Sequence, residues 1–271
     1  MHELLSPNDA RELVETVASV GVCISSLEWL VNARSLAEGR LFSWSVLSLR
    51  FPILLTGWHG RLFAPVFSYY GVLTLLGLRL SCAALLLILP HSAHLRGTTV
   101  LMLAVTGLVF RLRVPIGADG SDQLSSIIFV ALSFGYLGGT EWSTMLALAF
   151  LAAQAALAYF TAGILKLVTL GWRNGTYLSR VWSTNTYGST WLGSLLRRLP
   201  GLAVCLSWSV IVLEVAFPLV FVLPVRVVWS LLLLGLAFHF ATAVTMGLNT
   251  FLWSFVATYP AVIWFAGLPR P

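Results

Sequence analysis

Apolar runs of roughly membrane length, separated by short polar connections, dominate this chain. They predict helical segments at 13–31, 44–58, 64–89, 97–110, 123–137, 142–170, 201–223, 225–246 and 250–266. Most approach the about 17–25 residues a helix needs to cross the hydrocarbon layer. The first is the weakest, because Glu15 and Glu28 flank a modest apolar centre, and it is read either as a crossing or as a surface helix. The expected count is therefore eight or nine. Segment 44–58 is short and contains Arg50 and Pro52, so a kink or tilt is expected. Arg79, inside 64–89, must face protein or water.

Composition agrees with that pattern. With 58% hydrophobic and 10% charged residues and a mean hydropathy of +0.90, the chain cannot present the polar surface of a soluble domain. The expected architecture is an all-α, polytopic membrane helix bundle, one integral-membrane domain over 1–271 with no extramembrane domain. The net charge of +6 does not point to nucleic acid, because the arginines sit singly or in pairs in the short connections and read as topology and headgroup signals. The first twelve residues have no basic stretch and no Ala-x-Ala site, so no cleaved signal is expected. Cys23, Cys82 and Cys205 stand alone in apolar runs and read as small buried hydrophobes, without redox or metal-binding spacing.

Residues 171–200 form the longest polar connection, with Trp172, Trp182 and Trp191 interleaved among Arg173, Arg180, Arg197 and Arg198. Such mixing is expected of a segment at headgroup level. Counting crossings places this connection, the 119–122 turn and the 247–249 turn on one membrane face. The arginine count would make that face cytoplasmic.

Fifteen arginines and a single lysine, Lys166, make up the basic residues, and Lys166 closes a run, 145–170, with no other charge. Arginine keeps its proton in a protein whereas lysine can give its proton up, so a lone lysine in an apolar run points to a need for a neutral amine. The alternative is a helix-end residue snorkelling to the interface. Depth counting puts Lys166 about one turn inside the 171–200 face, His239 about two turns, and Glu214 near mid-membrane. At about 100° per residue, Tyr159, Gly163 and Lys166 share a face, with Gly163 leaving room for a helix or ligand. His239, Thr242, Met246 and Asn249 form a polar seam on the eighth segment that should point inward. Each has a plainer reading: His239 bonded to a carbonyl, Glu214 protonated or paired with Arg79 or Arg50, and Asp119 and Asp122 as turn and capping residues.

Tyr159-Phe-Thr-Ala-Gly-Ile-Leu-Lys166-Leu, then Trp172-Arg-Asn-Gly175 and Tyr177-Leu-Ser-Arg180, resembles the core of the vitamin K-dependent gamma-carboxylases and their bacterial relatives, the horizontally transferred transmembrane (HTTM) domain proteins. Leu213-Glu214, Pro218, Phe238-His239, Met246-Gly247, Phe251, Tyr259-Pro260 and the turn Gly117-Ala118-Asp119 extend the likeness, which is best over 117–266. The resemblance implies a cell-membrane enzyme in which Lys166 is the base that deprotonates a lipid-soluble hydroquinone and His239 lies in the same pocket. The remaining pocket residues would be Tyr159, Gly163, Trp172, Glu214, Thr242, Met246, Asn249 and Asp119. It implies reduced vitamin K, a menaquinol-type hydroquinone, with O2 and CO2 as cosubstrates, and modification of a peptide, glutamate carboxylation in the carboxylases. The large extramembrane region that holds the substrate in full carboxylases has no counterpart after Pro271. The alternative is a non-enzymatic membrane protein on the same helices: a scaffold, an immunity or peptide-maturation partner, or a small transporter.

Overall fold

The computed structural model describes residues 5–50, 57–88, 93–115, 120–184 and 188–268. Its elements are α1 (Pro7–Val31), α2 (Trp44–Leu47), α3 (Gly57–Phe67), α4 (Tyr69–Ile88), α5 (Ala93–Arg113), α6 (Gly120–Gly138), α7 (Glu141–Val168), α8 (Leu170–Arg173), α9 (Thr176–Val181), α10 (Thr190–Arg198), α11 (Pro200–Ala216), α12 (Val225–Met246), α13 (Asn249–Val256) and α14 (Tyr259–Gly267). Short 3-10 turns join some of them, and no strand occurs among the described residues. Among those residues seven helical stretches are long and apolar enough to cross a membrane: α1, α4, α5, α7, α11 with its 3-10 extension to Phe221, α12, and α13 with α14. The chain is an all-α, multi-pass membrane protein. Two of the expected segments are missing from the seven. Residues 44–50 break into one α turn and one 3-10 turn, where Ser43 and Ser45 bond each other and Ser48 bonds back to the Ser45 carbonyl, competing with a continuing helix. The other, α6, is 19 residues long but opens on Gly120-Ser-Asp-Gln123.

The chain packs as two compact units, Glu15–Thr144 and Met1–Val14 with Met145–Pro271. In the first, the expected segment 64–89 divides at Ser68, whose hydroxyl donates to the Pro65 carbonyl and accepts the Gly71 N–H at 2.7 and 3.1 Å. α5 runs past both ends expected for it, because its terminal arginines lie inside the protein. Arg96 donates from Nε and Nη2 to Glu15 Oε2 at 3.0 and 2.8 Å, and Tyr136 donates to Glu15 Oε1 at 2.7 Å. Glu15 is fully buried, so α1 is no surface helix at that point. At the other end Arg113, also fully buried, donates to the carbonyls of Phe67 and Phe42 at 2.8 and 2.9 Å and lies over the Trp44 ring. The Phe67 carbonyl at the end of α3 and the Phe42 carbonyl ahead of α2 thus take the charge that the sequence assigned to the interface. Arg79 turns to α5, its guanidinium close to Gly107 and over the Phe110 ring, as its place in an apolar run requires.

The start of α7 is fixed by a reciprocal cap: the Thr140 N–H donates to Ser143 Oγ at 3.2 Å and the Ser143 N–H to Thr140 Oγ1 at 3.1 Å. In the second unit α11 begins with Pro200, whose missing N–H costs nothing there. α12 stops at Gly247, in the left-handed region at φ +72°. The expected last helix, 250–266, is two: Pro260 in the first turn of α14 cannot donate back to α13, and the chain bends at Ala257-Thr258. Cys205 is exposed and Cys23 and Cys82 are half-buried, so the expectation of buried thiols is corrected; helices whose apolar faces meet lipid need not bury them.

Candidate functional site: an ion pair on an apolar cavity

α7 and α11 meet at Gly163. A Cβ there would stand 2.8 Å from the Val215 backbone nitrogen and 2.9 Å from Glu214 Cβ, so only glycine allows this approach. One turn further along α7, Lys166 Nζ donates to both carboxylate oxygens of Glu214, at 2.8 and 2.7 Å. The Glu214 side chain is 3% exposed and that of Lys166 18%. The expected solitary amine is therefore corrected. It has an acid partner, and that partner is the carboxylate for which Arg79 or Arg50 was considered. Nζ also lies 5.5 Å from the centroid of the Trp172 ring.

The pair borders a partly open cavity of about 470 Å³. Lys166 and Trp172 form one side of it, with Leu178, Val181 and Trp182 of the α8–α9 region. Leu213 of α11, Phe238 and Thr242 of α12, Met246, and Phe251 of α13 supply others. Lys166 is the one ionisable residue among the lining, whose hydroxyls are those of Ser209 and Thr242, each donating to a carbonyl of its own helix. The short helices are clamped down on α11 at Gly175, in the left-handed region at φ +75°, where a Cβ would stand 2.7 Å from the Val204 nitrogen. Residues of the 171–200 connection and Leu248 of the 247–249 turn line the same cavity.

A second polar layer lies deeper. Tyr159, seven residues before Lys166 on α7, is about 10 Å away along the axis. Its hydroxyl is 2.6 Å from His239 Nε2 and 2.9 Å from the Tyr259 hydroxyl. The His239 ring stacks on Phe255 at 4.5 Å and meets the edge of Phe251 at 4.6 Å, while Tyr159 stacks on Phe217 at 3.8 Å. His239 is fully buried, and its Nδ1 has no hydrogen-bond partner among the described residues. Gly235 makes the pair of tyrosine hydroxyls possible: a Cβ there would stand 2.5 Å from that of Tyr259 and 3.0 Å from that of Tyr159.

The residues expected to form one pocket thus divide. Lys166, Trp172, Thr242 and Met246 line the cavity, with Glu214 directly behind Lys166. Gly163 is the helix crossing. Tyr159 and His239 belong to the dry layer and not to the cavity wall, which corrects the expectation that the histidine shares the pocket of the lysine. The inward seam of α12 nonetheless holds for three of its four residues, since His239 is buried while Thr242 and Met246 reach the cavity; the fourth, Asn249, falls past the end of α12. Asn249 opens α13, half-buried, and Asp119 lies outside the described residues. Tyr259, noted only within the family likeness, completes the layer; its sole local signal was the Tyr-Pro step that starts a helix. Comparison with protein-family models, with curated proteins and with solved structures finds no match.

Proposed function

We propose that this chain is a membrane enzyme resembling the vitamin K-dependent gamma-carboxylases and HTTM proteins, resident in the cell membrane, that takes a proton from a lipid-soluble hydroquinone at Lys166. The observation that carries the reading is an ammonium–carboxylate pair on the wall of an otherwise apolar cavity. Such a hollow admits a molecule arriving from lipid and offers it very few polar contacts, which fixes its orientation. Lysine has three N–H groups, and Glu214 takes two, which leaves one for an oxygen of the ligand. The face of Trp172 lies next to that nitrogen.

The pairing changes how Lys166 would act as a base. As an ion pair the amine carries its proton and cannot accept another. Moving that proton from Nζ to a Glu214 oxygen leaves a free amine and a neutral acid, with no net charge created in dry surroundings. The amine then accepts the phenolic proton, and the new ammonium holds the phenolate while Glu214 stays neutral. Glu214 is therefore assigned as the group that stores the proton. The bound quinol, with O2, would supply the strong base that in the carboxylases removes a proton from a peptide glutamate, which takes up CO2. The Tyr159–His239–Tyr259 layer is assigned to support α7, α12 and α14 behind the site.

The test is menaquinol turnover in membranes at matched expression. Arginine at 166 can still pair with Glu214 but cannot act as a base. Lys166→Arg should therefore abolish turnover and leave the folded protein in place. Retained turnover removes the reading. A second reading, a non-enzymatic scaffold, partner protein or transporter, is favoured by the bidentate form of the same pair, which is what a structural lock between α7 and α11 requires. On that reading neither wild type nor variant turns over quinol.

A further inference from the structure

The connection that covers the cavity has two unlike faces. Leu178, Val181 and Trp182 of α9 and the turn after it face the cavity. Arg173, Arg180, Arg197 and Arg198 are exposed. Arg197 reaches Ser183, while Arg173, Arg180 and Arg198 have no acidic partner among the described residues. From Leu167 to Leu213 the chain contains no Asp or Glu at all, so the connection has four positive charges and nothing to balance them. The segment joins the end of α7 to the start of α11, both long and apolar enough to cross a membrane, and its mixture of Trp and Arg is that of a segment at headgroup level. Exposed apolar groups accompany the arginines there: Trp191 is 68% exposed and Leu199 49%. A cationic face with protruding Trp and Leu matches an anionic lipid surface in charge and in polarity.

We infer that α8–α10 is a docking surface for anionic phospholipid headgroups, and that the same helices connect this surface to the cavity wall. Bound headgroups would draw α9 and α10 together, since these already pack at Gly193, whose Cβ would stand 2.7 Å from Ser183 Oγ. Occupancy of the lipid surface would then hold Val181 and Trp182 in place over the cavity. The inference stands apart from the quinol reading, because lipid retention needs no quinol.

The experiment is native mass spectrometry of the full chain released from mixed phosphatidylglycerol and phosphatidylcholine. Wild type should retain phosphatidylglycerol preferentially. Each of Arg173→Gln, Arg180→Gln and Arg198→Gln should weaken that retention by about fivefold. Arg226→Gln, an exposed arginine at the opposite end of α12, should leave it unchanged. Equal retention of the two lipids, or wild-type retention in the triple variant, overturns the inference. So does displacement of the lipid by equimolar inorganic phosphate, which would mark a simple anion site. If the triple variant fails to fold, wild type in high salt substitutes for it: retention must fall with ionic strength, and salt-independent retention overturns the inference equally.

Discussion

Among the described residues each unit has a carboxylate buried against a cation, and the two pairs are built differently. Glu15 and Arg96 are closed in completely: the side chains are 0% and 6% exposed, and Tyr136 takes the remaining carboxylate oxygen. Among the described residues Glu214 and Lys166 have no third partner of that kind, and the lysine borders a cavity. In the first pair both carboxylate oxygens are bonded, one by Arg96 and one by Tyr136, which is how a lock between α1, α5 and α6 should look. The second keeps a spare donor facing a hollow, and its cation can lose a proton where arginine cannot. On the proposed reading the two pairs serve different ends, and the choice of lysine over arginine marks which is which.

That contrast can be broken at several points. The largest effect is expected at Lys166→Arg, which should lower quinol turnover by at least about a hundredfold while the melting temperature in detergent moves little. Glu214→Gln comes next on activity. It keeps a hydrogen bond to Nζ but cannot store a proton, so turnover should fall by about the same order with ligand binding retained. On stability the ranking reverses. Glu15→Ala strands a buried guanidinium and should cost about 3–5 kcal/mol in an unfolding titration, with turnover per folded molecule unchanged. Gly163→Ala should force α7 from α11, cost about 1–3 kcal/mol and separate Lys166 from Glu214, so it should reduce both readouts. The smallest effect belongs to Tyr259→Phe, about 1 kcal/mol for one hydrogen bond lost, with turnover intact. A loss of turnover there as large as at Lys166 would show that the dry layer takes part in chemistry.

Much of this was legible in the chain. Gly138-Gly139 followed by Thr140 marks where α6 stops and α7 starts, and Gly247 ends α12, because left-handed backbone and capping hydroxyls leave a local signature. Lys166 was conspicuous as a lone residue type in a charge-free run. Its partner was not. Glu214 counted from its own helix end lies near mid-membrane, yet α7 and α11 do not end flush, and the Gly163 contact brings Lys166 and Glu214 to one depth. The distance in sequence, 48 residues, gives no hint of that offset. Arg113 misled for a related reason: an arginine at a helix end reads as an interface charge unless one knows that the carbonyls of Phe67 and Phe42 wait for it. The break within 44–50 was local, where closely spaced serines bond one another and a nearby carbonyl; residues 51–56 of that expected segment lie outside the described residues.

Consider finally Gly175, the last residue of the Trp-x-x-Gly run. Its backbone handedness disfavours a side chain, and its clearance from Val204 forbids one, so the position is doubly intolerant of a methyl group. Alanine there would act as a wedge at the base of an awning, prising α9 off α11 and letting more water reach the Lys166 amine, which the proposed chemistry needs sheltered. The pattern's glycine would then govern wetness at a nitrogen it never touches.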